Sequence, residues 1–170
     1  MSRATTVRLD LGALVHNLRR VRAAAPGRRV AAAVKAEGYG HGLVRTARAL
    51  DADAFAVACV EEALALREAG IDRRIVLLEG VFEADELPWC ARHALDIAVH
   101  QPEQLRMLEL ARLERPLRVW LKIDSGMHRL GLAPETTSAA FQRLRACPAV
   151  QAEIGLMSHL ARADERDCDY

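Results

Sequence analysis

Residues 29–42 read RVAAAVKAEGYGHG. A run of small apolar residues ends in a lone lysine, Lys35, and a glycine-rich turn carrying Tyr39 and His41 follows at once. A stretch of alanine and valine without alternating polar residues reads as a buried strand, and the glycines mark the loop where it stops. A dinucleotide-binding sheet would carry G-x-G-x-x-G after its first strand, and GYGHG has the wrong spacing. Ala31, Ala32 and Ala33 instead suit the crowded interior of a barrel, where side chains from neighbouring strands meet.

The same unit recurs along the chain. AFAVACV (54–60), RIVLLEG (74–80), LDIAVH (95–100), RVWLKID (118–124) and VQAEIGLMSHL (150–160) are further apolar strands. Helices are expected at 41–50, in EEALALREAG (61–70) closed by Gly70, and in EADELPWCARH (83–93) with Pro88 near its start or at a kink. QPEQLRMLELAR (101–112) and APETTSAAFQRLRA (133–146) are helices with a proline in the first turn. Upstream, TTVRLDL (5–11) alternates and reads as a strand. Asp10 then caps a helix over Leu11 to Ala24, with Leu14, Val15, Leu18 and Val21 on one face and Pro26-Gly27 as its stop.

Strand then helix, repeated at roughly 20 to 28 residues, makes this an α/β chain with a parallel sheet. The two architectures that fit are a doubly wound open sheet and a (β/α)8 TIM-type barrel. The small interior residues and the missing dinucleotide fingerprint favour the barrel. Eight strands take about 250 residues, whereas this chain has 170. The expectation is that it covers about the first six strands, as the N-terminal part of a longer protein. The alternative is a complete open-sheet domain.

Composition narrows the function classes. Half the residues, 51%, are apolar, 24 basic residues nearly cancel 23 acidic ones for a net charge of +1, and aromatics are only 4%. No basic face supports binding to nucleic acid. Cys59, Cys90, Cys147 and Cys168 form no C-x-x-C pair, so neither a disulfide framework nor a zinc site is expected, and a reduced, cytoplasmic setting fits. No apolar h-region opens the chain, and no run approaches the ~20 residues of a membrane helix. His16, His93, His100 and His128 have no companions at metal spacing and read as surface or helix-end residues, so no metal site is expected. Asp164 and Glu165 read as part of a solvated charged run.

In a barrel, chemistry sits at the C-terminal strand ends. Three places there carry unusual residues. The first is Lys35: a lysine made neutral by burial or a nearby cation attacks an aldehyde to form a Schiff base, while the alternative is a surface lysine snorkelling outward. The second is Lys122, Asp124 and Arg129, with Gly126 and Gly131 for tight turning. A cation on an apolar strand needs a partner, and the alternative is a structural Lys–Asp or Asp–Arg pair. The third is Ser158 with His159, where the alternative is a satisfied core histidine.

AAVKAEGYGHG (32–42) resembles the pyridoxal-phosphate attachment motif of bacterial alanine racemases. LKIDSGMHRLGL (121–132) resembles their second signature, and LMSHLARADE (156–165) the segment that ends their sixth strand. The order and spacing agree across essentially the whole chain. The resemblance implies an isomerase that interconverts L- and D-alanine with pyridoxal 5'-phosphate and supplies D-alanine for peptidoglycan. It further implies a cytoplasmic homodimer with its sites between subunits. Residues 1–170 would be the N-terminal part of the cofactor-binding barrel domain, without the last strands and the C-terminal β-domain. By the same resemblance, Lys35 bonds the cofactor and acts as one catalytic base, and Tyr39 lies near the cofactor phosphate. Arg129 approaches the phenolic oxygen and the substrate carboxylate, and His159 lies beside the ring. Leu78 lines the site, and Lys122 becomes carbamylated and orients Arg129. The family's second base is a tyrosine in the partner's C-terminal domain, a role that Tyr170 does not take. Glu37-Gly38 departs from the Asn/Asp-Ala of many relatives and is expected to be neutral, with Gly38 loosening the turn. The rival readings are a non-catalytic pyridoxal-phosphate protein of the single-barrel type, a decarboxylase on the same barrel, and a ligand-free structural module. The Tyr-Gly-His-Gly and Gly-Met-x-Arg-Leu-Gly runs argue against the first, and KAEGYGHG against the second.

Overall fold

A computed structural model describes residues 6–166. Its elements follow in the order α1 (Leu11–Ala24), β1 (Ala31–Ala33), the single turn α2 (Lys35–Tyr39), α3 (Leu43–Ala49), β2 (Ala54–Val57), α4 (Val60–Glu68), β3 (Arg74–Leu77), α5 (Glu86–Arg92), β4 (Leu95–Val99), α6 (Pro102–Leu110), β5 (Leu117–Ile123), α7 (Pro134–Ala146) and β6 (Val150–Ser158). The six strands are all parallel and lie in the sheet in sequence order. A doubly wound sheet reverses its strand order at a switch point. An unbroken sequential order is that of a (β/α)8 barrel, of which these strands make six.

The outer face of the strands is apolar, and the inner face is mixed. Phe55, Val57, Ile75, Leu77, Leu95, Ile97, Leu117, Val119 and Leu121 pack under the helices in the main core. The alternate positions face the barrel interior. There Asp96, 3% exposed, accepts hydrogen bonds from Arg74 and from Trp120 Nε1 at 3.1 Å, with Arg118 at 3.8 Å. Gly155 sits opposite Trp120 on β6, and a Cβ there would lie 2.3 Å from the indole. This charged layer occupies the N-terminal half of the interior, beside a small cavity of about 130 Å³, and leaves the C-terminal half for chemistry.

Asp10 caps α1 as expected, accepting from Ala13 N at 3.0 Å, and Pro102 and Pro134 open α6 and α7. Three expectations are corrected. Residues 6–10 form no strand, and Thr5 lies outside the described residues; Val7 is 85% exposed, so alternation there meets no neighbour to pair with. Ala31 and Ala33 are exposed, because they face the open interior, while Ala32 packs against the core. His100 is a buried residue at the end of β4, not a surface one. Cys168 and Tyr170 lie outside the described residues. Among the described residues, no helix is long and apolar enough to cross a membrane.

Candidate active site

Lys35 follows β1 directly, and the chain after it does something costly. Ala36, Glu37, Gly38 and Tyr39 all have φ between 52° and 60°, a left-handed turn that costs about 1–2 kcal/mol for each residue with a Cβ. Such strain survives only where its surroundings hold it. Gly38 N donates to Val34 O at 2.8 Å, Gly40 N to Ala36 O at 3.0 Å and Gly42 N to Glu37 O at 2.8 Å. The Glu37 carboxylate accepts from Leu43 N at 3.0 Å. Gly38 is buried, and a Cβ on it would meet Thr46 Oγ1 at 3.0 Å. Gly38 therefore seats the turn against α3; the expected loosening is not what this glycine does. The turn brings Tyr39 back toward the lysine.

Arg129 reaches the same region from a loop after β5. Leu132 N donates to Lys122 O and Asp124 N to Leu132 O, both at 2.9 Å, which closes residues 124–131 into a small loop. Gly131 allows this closure, since a Cβ would stand 2.4 Å from Asp124 N. Inside the loop the Asp124 carboxylate accepts from Gly126 N and His128 N and pairs with His128 Nδ1, each at 3.0 Å. Asp124 thus bonds its own loop rather than Lys122 or Arg129, which removes the structural-pair alternative. Ser125 Oγ lies 2.6 Å from Ser158 Oγ, which donates to Ile123 O at 2.9 Å and ties the loop to the end of β6 beside His159.

These segments enclose a cavity of about 480 Å³ at the C-terminal ends of the strands, lined by Lys35, Tyr39, Leu78, Lys122, Arg129 and His159 together with Ala33, Glu79, Leu130, Met157 and Ser158. All six predicted site residues meet there. Two larger grooves lie among the outer helices and gather no such chemistry. The chain contains only two lysines among its 24 cationic residues, and both line this cavity. Arginine stays protonated at any relevant pH, whereas lysine becomes a nucleophile when its proton is removed.

Lys122 is only 8% exposed. Burial pushes its amine below the usual range, Arg129 and Lys35 push the same way, and Glu79 opposes them. Among the described residues, none of these three cations has a side-chain hydrogen bond or an ion pair within 4 Å. Among the described residues, Glu79 is the one carboxylate in the lining. It was not foreseen, although it directly follows Leu78 in IVLLEG. Its position is locked: His100 Nε2 bonds Glu79 O at 3.0 Å, and Gln104 Nε2 donates to Glu79 O at 2.8 Å and Val81 O at 3.0 Å. Burial pushes the His100 imidazole below its usual value.

A donor set of one strand-end amine, two further cations, a phenol, an imidazole and apolar walls fits a small anionic molecule, and the volume suits a small-molecule site. Residues 9–170 match the family described as "Alanine racemase, N-terminal domain". The chain is 54% identical over 166 residues to the alanine racemase of Pectobacterium carotovorum, covering 97% of this chain and 46% of that protein. It is 55% identical over 163 residues to the biosynthetic alanine racemase of Escherichia coli, covering 95% and 45%. The crystal structure of biosynthetic alanine racemase from Pseudomonas aeruginosa superposes with a TM-score of 0.90 at 47% identity, over 95% of this chain and 45% of that one. A histidine racemase from Leuconostoc mesenteroides shares the fold at 28% identity and TM-score 0.81, over 94% and 44%. The chain spans about half the length of the curated relatives it matches. The strained turn behind Lys35, the closed loop carrying Arg129 and the cavity they share are those of a chain that belongs to the alanine racemase family, as its N-terminal domain.

Proposed function

We propose that this chain forms the lysine-bearing half of a pyridoxal 5'-phosphate-dependent site that interconverts L- and D-alanine, in a cytoplasmic homodimer supplying D-alanine to peptidoglycan. The observation that carries the reading is the single cavity that gathers Lys35, Tyr39, Leu78, Lys122, Arg129 and His159. When bound, the cofactor supplies an electron sink for charge at the substrate Cα. Lys35 holds the cofactor through Nζ, and the same nitrogen takes and returns the Cα proton on one face. Tyr39 would hold the phosphate, His159 would stand beside the ring, and Leu78 with Met157 would supply apolar wall. Arg129 carries the charge of the phenolic oxygen and of the substrate carboxylate. Its planar fork of N–H donors would let it serve both oxygen groups at once. Lys122 orients Arg129 once it has become an anionic carbamate.

Inverting a centre needs a second base on the opposite face. The cavity offers Lys35 on one side, and the second base is a tyrosine of the partner's C-terminal domain. Residues 1–170 are then the N-terminal part of the cofactor barrel, completed by further strands and a β-domain. The test is to add pyridoxal phosphate to the 170-residue chain. A visible absorbance band is expected in the wild type and is lost in Lys35→Ala, and the loaded chain leaves the optical rotation of L-alanine unchanged. A band that survives Lys35→Ala, or racemisation by this chain alone, contradicts the reading.

A further inference from the structure

The left-handed turn after Lys35 is held not only by its own backbone but also by a side chain from another element. Glu62 lies in the first turn of α4. Its Oε1 accepts from Ala36 N at 2.6 Å and from Glu37 N at 3.4 Å, and its Oε2 accepts from Ala58 N at 2.9 Å, just past the end of β2. One carboxylate therefore ties the two residues that follow Lys35 to the exit of the neighbouring strand. Those amides belong to residues in the left-handed region, with φ of 52° and 55°. Turned that way, they point out of the turn and toward α4, where no backbone carbonyl takes them. The Glu62 side chain is half-buried, and it does not line the cavity.

We propose that Glu62 is a positioning residue for Lys35: its carboxylate locks the strained turn to β2 and so keeps the Lys35 amine aimed into the cavity. The idea rests on the proposed function for the identity of the electrophile, but the lock itself is a property of this chain alone. Glu62→Ala removes both acceptors and frees the turn to relax. Glu62→Gln keeps an oxygen for Ala36 N but sets its NH2 against Ala58 N, donor against donor, so it holds the turn without the tie to β2. Glu62→Asp is one methylene too short to span Ala36 N and Ala58 N together.

With only two lysines in the chain, the amine that meets an aldehyde can be counted directly. Pyridoxal phosphate is added with borohydride. Amine and aldehyde condense with loss of water, and borohydride reduces the C=N bond to a stable secondary amine. Peptide mass mapping then gives the trapping rate at Lys35 and at Lys122. The wild type is expected to trap at Lys35. Glu62→Ala and Glu62→Asp, corrected for folded fraction by circular dichroism, are expected to trap at Lys35 at least about tenfold more slowly, with Glu62→Gln between them and the wild type. A folded Glu62→Ala or Glu62→Asp that traps at the wild-type rate overturns the proposal. A loss that merely tracks the unfolded fraction overturns it as well. If Glu62→Ala does not fold, Glu62→Asp and Glu62→Gln decide alone. If even the wild type fails to trap at Lys35, the proposed function is wrong. The lock is then judged by hydrogen exchange at the Ala36 and Glu37 amides, which should quicken about tenfold in Glu62→Asp; unchanged exchange overturns it.

Discussion

Lys122 and Asp124 stand two residues apart at the exit of β5 and meet opposite surroundings. The Asp124 carboxyl is held below the usual range by the N–H groups of His128 and Gly126, so it is a settled anion. The Lys122 amine is pushed below its usual range by burial and by two neighbouring cations, so it is an unsettled cation. Only a neutral amine adds to carbon dioxide, and the product, N–COO⁻ with release of a proton, turns the site's surplus positive charge into a partner for Arg129. The amine is protonated below its lowered pKa and free above it, so occupancy at fixed dissolved CO₂ should rise with pH through a midpoint below that of an ordinary lysine. In 13C-bicarbonate, the wild-type chain should show a protein-bound carbamate carbon by NMR that is absent in Lys122→Met and retained in Lys35→Ala. A signal of equal strength in Lys122→Met would remove Lys122 from this role. At this scale the sequence was informative wherever a motif is contiguous: Lys35, Tyr39, Lys122, Arg129 and His159 stand out in local runs, whereas Leu78 came from the family resemblance alone. Glu62 and Glu79 were not, because their work is done across strand ends 20 or so residues apart, the spacing of one βα unit, and no local pattern marks it.

The strands were legible because a parallel sheet covered on both faces needs continuous apolar runs, and all five later runs became strands. The segment 5–11 was misread for the complementary reason: alternation describes a half-buried strand only if another strand lies beside it. His100 was misread because its role belongs to a junction rather than to an element. Between β3 and β4, the backbone of Glu79, Gly80 and Val81 crosses so close to β4 that His100 and Gln104 can hold it from the side. Gly80 makes that approach possible. Its φ is +69°, and a Cβ there would lie 2.2 Å from Ala98 O and 2.6 Å from Gln104 Nε2. Gly27 has a similar φ of +73° but nothing within 4 Å, so the pair separates conformational strain from steric clash. Gly27→Ala should cost about 1 kcal/mol from backbone strain alone. Gly80→Ala adds a backbone clash and should cost about 3 kcal/mol or more. Urea denaturation of the two variants checks this, and equal midpoints would show that the β3 exit is not tightly packed against β4.

At the scale of the whole molecule, the sheet among the described residues ends at β1 and β6, and within them the outer face over β6 is incompletely covered. The register pairs Leu121 with Leu156, so both side chains stand on the helix-covered side of the sheet. Leu121 is fully buried, whereas Leu156 is 57% exposed and Leu160 beyond it 71%. Ile154, nearer α7, is partly packed. An open strand edge beside an exposed leucine is a template for pairing with another chain. The 170-residue chain should therefore associate as its concentration rises, through β6 rather than through the charged interior layer around Asp96. Covering one leucine is worth about 1.5–3 kcal/mol, so Leu156→Lys should weaken that association roughly tenfold or more while leaving the helical signal intact. Sedimentation velocity over a concentration series measures it directly. If wild type and Leu156→Lys associate equally, the β6 face is not the surface responsible, and the β1 edge with its exposed alanines becomes the remaining end of the sheet through which chains can meet.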